Sequence, residues 1–362
     1  MREVTRATTA SHLALVGAIL LVMVLAAAPY WGSTANLRLL GEIMVYLALA
    51  SLWNLLAGFT GLVSIGQQAY VGLGGYMLFT ICISLGWNPL YAIPIAGLVA
   101  APISALVALL VFRLNGAYFA IGTWVVAEVF RLGFAQMSSL GGGSGLSLPI
   151  TVMREMASTK AEREALIYWA ALLLGTGSIT IVYLLLRSRI GLALTAIRDS
   201  EVASSSLGVS ITRVKLLVYV AVAAATAMVG ALVFMQKLRI APSAAFSVTD
   251  WTAFVIFMVV IGGIGTIEGP IVGTLLYFVL RQFLADFGSI YLIVLGGLAI
   301  LVMMVAPQGI WGFLANRWGL SLFPVGYRVR LQAMPAQNNG KENEYVGRNQ
   351  AHRDVAAARR NR

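Results

Sequence analysis

The chain has 362 residues, of which 59% are hydrophobic and only 11% charged, with a mean hydropathy of +0.86. Soluble domains carry roughly 25% charged residues, so a soluble globular protein is excluded. One cysteine, Cys82, excludes an intrachain disulfide and a cysteine-based metal site, and two histidines near the ends, His12 and His352, form no cluster for metal or proton chemistry.

Roughly 20 apolar residues suffice to cross a bilayer as a helix. Backbone in lipid must be bonded within the protein, which leaves helices or closed barrels, and unbroken apolar runs choose helices. The fold class expected is an all-α polytopic membrane protein of about ten spans, some broken or short. They fall near 13–31, 37–57, 62–83, 89–112, 116–135, 165–186, 214–236, 251–265, 267–285 and 290–306. Arg2 and Arg6 precede the first run, and Ala26-Ala27-Ala28 is followed by Pro29, a poor cleavage context. A retained first helix is expected.

Along the chain, polar residues stand out against the apolar background. Arg38 and Glu42, near the outer end of the second span, are spaced one helical turn apart and read as a local pair. "TGLVSIGQQAYVGLGGYM", in the third span, places Ser64, Gln67, Gln68 and Tyr70 in or near the membrane. Two readings stand for them: bonds across helices that glycines bring close together, or the lining of a translocation pathway. Glu128 precedes Arg131 by three residues in "FAIGTWVVAEVFRLGF" and reads as another local pair, with a role near an external gate as the alternative. "GGIGTIEGP", Gly262 to Pro270, breaks the helix between the eighth and ninth spans. Its Gly265, Thr266, Glu268, Gly269 and Pro270 form either an inner gate or a second contact for a partner protein, or else a plain tight turn.

Positive loops stay in the cytoplasm. With the amino terminus inside, cytoplasmic segments collect 17 of the 25 basic residues, so both termini are expected inside, as is the segment 187–215. This topology accounts for most of the net charge of +11 without nucleic acid. The tail beyond about residue 327 is polar and lacks apolar periodicity. It is expected to be disordered and to rest on anionic lipid.

"AIRDSEVASSSLGVSITRVK", residues 196–215, is a charged island between apolar runs. Asp199 or Ser200 suits a helix start and Gly208 a left-handed exit, leaving roughly eight residues of helix. So short a helix is marginal in water and needs a supporting surface. Its own bundle, lipid headgroups or a partner protein would serve.

The segment Arg187–Val220, "RSRIGLALTAIRDSEVASSSLGVSITRVKLLVYV", resembles the cytoplasmic loop of the branched-chain amino-acid ABC transporter permease family. "NLLAGFTGLVSIGQQAYVGLGGYM" (Asn54–Met77), "GGGSGLSLP" (Gly141–Pro149) and "VIGGIGTIEGPIVGTLL" (Val260–Leu276) are similar to further signatures of that family, in the same order. The "AIRDSE" form looks like the LivM-type subunit, although Ser204-Ser205-Ser206 replaces an alanine-rich stretch.

The resemblance implies a permease subunit of a binding-protein-dependent importer in the bacterial inner membrane. A second, LivH-type permease, two cytoplasmic ATPases and an extracytoplasmic substrate-binding protein would be its partners, besides membrane lipid. It divides the chain into a cytoplasmic N-terminus (1–12), a permease body (13–310) with a coupling loop (187–215), and a basic tail (311–362). In the coupling loop, Arg198, Asp199, Ser200 and Glu201 would make polar contacts to an ATPase, with Leu207, Gly208 and Val209 completing the surface. The chain has no G-x-x-x-x-G-K-[ST] phosphate loop. No cofactor is expected on it; ATP and Mg²⁺ belong to the partner ATPases, and the chain is not itself an enzyme. Branched-chain or other apolar amino acids are the expected cargo. Urea, short amides or another small polar solute are the alternative, and an ion-driven secondary transporter is a third reading.

Overall fold

The computed structural model describes residues 3–5, 9–157, 159–284, 287–288, 290–318, 322–325 and 328–330. Fifteen helices are described, in chain order. The first five are α1 (Thr9–Ala26), α2 (Thr34–Asn54), α3 (Gln67–Ser84), α4 (Pro89–Val111) and α5 (Ala117–Gln136). Then come α6 (Ile150–Met156), α7 (Lys160–Arg187), α8 (Arg189–Asp199), α9 (Glu201–Ser206) and α10 (Ile211–Lys237). The last five are α11 (Pro242–Ala245), α12 (Phe254–Gly262), α13 (Glu268–Leu284), α14 (Ile290–Val305) and α15 (Gly309–Trp318).

Each of the ten expected spans falls on a helix. Among the described residues, eight stretches are long and apolar enough to cross a membrane, the fifth of them Lys160–Arg187 and the sixth Ile211–Lys237. The other two helices, α3 and α13, are shorter, and they carry Gln67 and Gln68 or Glu268 and Arg281. The eighth expected span is longer than its apolar core. A turn of π-helix, Thr249–Ala253, and α11 extend α12 back to Pro242. The fold is the expected all-α polytopic one.

Helix α10 is the centre of the body, Thr9–Val325, and packs along both α3 and α4. Close approach there depends on glycine. A Cβ on Gly74 would stand 1.9 Å from the Ala227 carbonyl oxygen, and one on Gly230 would stand 2.2 Å from that of Val71. Without a hydrophobic driving force between helices in lipid, such backbone contact supplies the packing energy. The outward faces of α1, α4 and α5 carry exposed leucine, isoleucine and valine, including Leu20, Leu98, Leu109 and Val129, as lipid contact requires.

Loops are better ordered than their composition suggests. Helix α7 begins earlier than expected because Thr159 and Glu162 form a reciprocal capping box. The glycine-rich loop after α5 ends in strand β2 (Leu146–Ser147), which pairs antiparallel with β3 (Arg239–Ile240) just beyond α10. Helix α15 and residues 322–325, assigned to the tail from sequence, belong to the body: α15 packs on α12 and α13.

The chain ends form a unit of their own, in which β1 (Glu3–Thr5) pairs antiparallel with β4 (Arg328–Arg330). The rest of the tail expected to be disordered lies outside the described residues.

Replacing Gly74 by alanine places a methyl group against backbone that has nowhere to move. It is expected to cost at least about 1–3 kcal/mol. Gly17→Ala, where nothing lies within 4 Å, should be neutral. Thermal unfolding of both variants in one detergent checks this.

Candidate functional site

The island is two helices rather than one. Helix α8 runs off the end of α7 and stops at Ser200, whose extended backbone begins the six-residue α9. Ser200 Oγ accepts from the Ala203 amide at 3.3 Å, and Gly208 exits with φ of +82°. Cap and exit are therefore those expected. The serines of α9 bond backwards: Ser204 Oγ donates to the Ser200 carbonyl at 2.8 Å and Ser205 Oγ to that of Val202 at 2.8 Å. A short serine-rich helix thus satisfies its hydroxyls locally.

Arg198, Asp199, Glu201 and Lys215 bond to the body or to each other, whereas Arg213 is exposed. Arg198 donates from Nη1 to the Gly58 carbonyl at 3.0 Å and pairs with Asp199 at 3.1 Å. Glu201 pairs with Lys215 of α10 at 2.5 Å, closing the island against the helix that follows it. Two large apolar side chains stand outward among exposed polar neighbours such as Ser205 and Ser206. Leu207 is 82% exposed and Val202 79%, whereas Val209 is half-buried. Sequence reasoning missed Val202, which is exposed five residues before Leu207.

Arg198 reaches a joint that sequence reasoning also missed. Helix α2 ends in a π turn, Leu55–Phe59, a form frequent at functional sites. Just before it, buried Asn54 donates from Nδ2 to the Thr266 carbonyl at 2.7 Å and accepts the Gly265 amide on Oδ1 at 2.8 Å. Gly58 and Gly265 are in backbone contact; a Cβ on Gly58 would stand 2.5 Å from the Gly265 nitrogen. Within the loop, Thr266 Oγ1 donates to the Gly263 carbonyl at 2.8 Å and accepts the Gly269 amide at 3.0 Å. Glu268 is buried and accepts the Phe323 amide at 2.8 Å, with Gly269 and Pro270 buried beside it as α13 starts. The structure brings the island, α2 and the Gly262–Pro270 break together at one end of the bundle. The signal was present as a polar Asn54 in an apolar run, four residues before Gly58.

The third-span residues are gathered in the interior. Gln67 Nε2 donates to the Leu49 carbonyl at 3.0 Å, and Gln68 Oε1 accepts from Thr252. Gln67 Oε1 and Gln68 Nε2 are buried with no partner among the described residues. Ser64 Oγ accepts the Gly66 amide at 3.2 Å, while its carbonyl accepts Trp53 Nε1 at 2.8 Å. Tyr70 and Tyr219 share a hydroxyl contact of 2.9 Å. Glu128 lies apart from this group. It pairs with Arg131 at 2.5 Å on a half-exposed face of α5, as the spacing predicted.

Arg38 and Glu42 do not pair with each other. Arg38 pairs with Glu164 at the start of α7, and Glu42 with Arg281 near the end of α13 at 2.6 Å. Helical spacing gave neighbours, but two adjacent helices offered better-placed partners.

A profile of the family described as "Branched-chain amino acid transport system / permease component" matches residues 35–305, and the chain belongs to that family. It is similar to the "High-affinity branched-chain amino acid transport system permease protein LivM" of Salmonella typhimurium. That match is 29% identical over 312 residues, 80% of this chain and 73% of the relative. The protein of the same name from Escherichia coli K12 is 30% identical over the same shares. The corresponding BraD protein of Pseudomonas aeruginosa is 37% identical over 130 residues, 35% of this chain and 41% of its own length. No solved structure matches.

Asn54→Ala removes two buried bonds, worth about 0.5–1.5 kcal/mol each. The Gly265 amide should then exchange with solvent roughly tenfold faster, as read by deuterium uptake of a peptide spanning 262–269, while a peptide from α10 stays unchanged.

Proposed function

We propose that this chain is the permease subunit of a binding-protein-dependent ABC importer for branched-chain or other apolar amino acids. Membership of the permease family supports the class. The observation that carries the mechanism is the knob itself: two short polar helices tied to the body by Arg198 and Lys215, with Val202 and Leu207 turned outward. On this reading ATP, with Mg²⁺, is hydrolysed on two cytoplasmic partner subunits. A LivH-type permease pairs with this one, and an extracytoplasmic binding protein delivers the solute.

An exposed leucine and valine on a water-facing helix suit insertion into an apolar groove of an ATPase. The ion pairs around them hold the knob rigid rather than making the contact. Displacement of the knob then pulls on the Gly58 carbonyl through Arg198, and through Asn54 on the break before α13. The knob and the break thereby move as one piece. Closure and opening of the pathway would give Gln67 Oε1 and Gln68 Nε2 the partners they lack here, since a buried unpartnered polar atom costs about 1–3 kcal/mol.

An ion-driven transporter needs acidic residues available for ion coupling. The three candidates read from the sequence are engaged, Glu42 with Arg281, Glu128 with Arg131, and Glu268 with the Phe323 amide, although Asp250 has no ion pair among the described residues. That pairing favours the ATP-driven reading.

Copurification with the ATPases and substrate-stimulated ATP turnover test the knob. Leu207→Asp and Val202→Asp should each lower turnover at least tenfold or abolish copurification. Replacing Arg198, Asp199 and Glu201 together by alanine should lower turnover while leaving part of the association. Unchanged assembly and turnover in all of these variants would refute the docking role.

A further inference from the structure

At the end of the body opposite the knob, a cavity of about 600 Å³ opens between the start of α2, the start of α7, the end of α10, the turn before α12 and the end of α13. Sites for small molecules typically enclose about 300–1,000 Å³. Three cations and three anions line it, so its charge is balanced. Four of the six are spent on interhelical pairs, Arg38 with Glu164 and Arg281 with Glu42. The two left are Lys237 and Asp250, and among the described residues neither stands within ion-pair distance of an opposite charge.

The floor beneath them is aromatic. Lys237 Nζ lies 4.7 Å from the centre of the Trp251 ring, and Tyr46 stacks on that ring with centroids 6.0 Å apart. Phe254 and Tyr277 extend the apolar surface, with their rings 5.2 Å apart.

We propose that this cavity receives an amino acid as a zwitterion, with Lys237 taking the carboxylate, Asp250 the ammonium group, and the aromatic floor an apolar side chain. A simple anion or cation would meet equal numbers of like and opposite charges here. A neutral apolar solute would leave Lys237 and Asp250 unused. Only a molecule bearing one charge of each sign beside an apolar body uses every feature. The ammonium of Lys237 held over an indole is attracted modestly, and a carboxylate beside it adds the stronger charge-assisted bond. The inference rests on the importer reading for its ligand, but it assigns to this subunit a site of its own.

The test uses the membrane complex in lipid nanodiscs without its binding protein, and equilibrium binding of radiolabelled L-leucine. Saturable binding is expected. Isocaproate, which lacks the ammonium group, and isopentylamine, which lacks the carboxylate, should compete at least tenfold more weakly than leucine. Lys237→Met and Asp250→Asn should each weaken leucine binding at least tenfold, and Lys237→Arg and Asp250→Glu should restore most of it, which a folding defect would not allow. Absence of saturable binding, or equal binding by wild type and both neutral variants, overturns the proposal. So does loss of binding-protein association in those variants with leucine binding intact, since the pair would then be a docking surface. ATP-driven leucine uptake by the complete wild-type system separates the two readings. Uptake without nanodisc binding removes the site alone, and binding without uptake removes the importer reading alone.

Discussion

A backbone amide that leaves a helix in or beside a bilayer must find its partner inside the protein, and at one end of this bundle that requirement falls on Asn54. Its side chain takes one donor and supplies one donor to the broken segment between α12 and α13. Because the same stretch of α2 ends in a π turn, the Gly58 carbonyl is turned outward to meet Arg198. Three segments distant in sequence are thereby fastened at one point. Remove that fastening and the island becomes an ordinary interfacial loop, and the glycine-rich break an ordinary turn.

The opposite end is organised by charge rather than by backbone. Ion pairs there join α2 to α7 and α2 to α13. Exposed ion pairs contribute about 0–1 kcal/mol each, so their effect is more on placement than on stability. They fix the walls of a cavity whose floor is a cluster of rings from α2, α12, α13 and the π turn before α12. The two ends thus differ in kind: a compact joint of amides and glycines below the knob, and an open, charged basin above.

Much of this was legible in the sequence. Apolar run length gave the helices, and the Ser200 and Gly208 positions gave the limits of the small helix, because capping and left-handed turns depend on residue type alone. Glu128 and Arg131 paired as their spacing required. Arg38 and Glu42 did not, since a periodicity argument sees only one helix and their partners stand on others. The inward turn of Arg198 was illegible for the same reason: a charged residue in a polar loop looks solvent-facing until the carbonyl it meets, 140 residues earlier, is known. The strand pair between Leu146 and Ile240 is invisible to local pattern, being only two residues long on each side.

Helix α10 is anchored at one end by the Lys215–Glu201 pair and reaches the basin at the other with Lys237. Those two lysines are about 33 Å apart along a single rod at about 1.5 Å per residue. Near-contact of backbones at Gly74 and Gly230 gives the rod a fulcrum partway along. A rocking of about 13° around that fulcrum would swing the far lysine, about 14 Å away along the rod, by roughly 3 Å, about the length of one hydrogen bond. The leverage of the molecule is therefore matched to the distance over which an ammonium group lets go of a carboxylate.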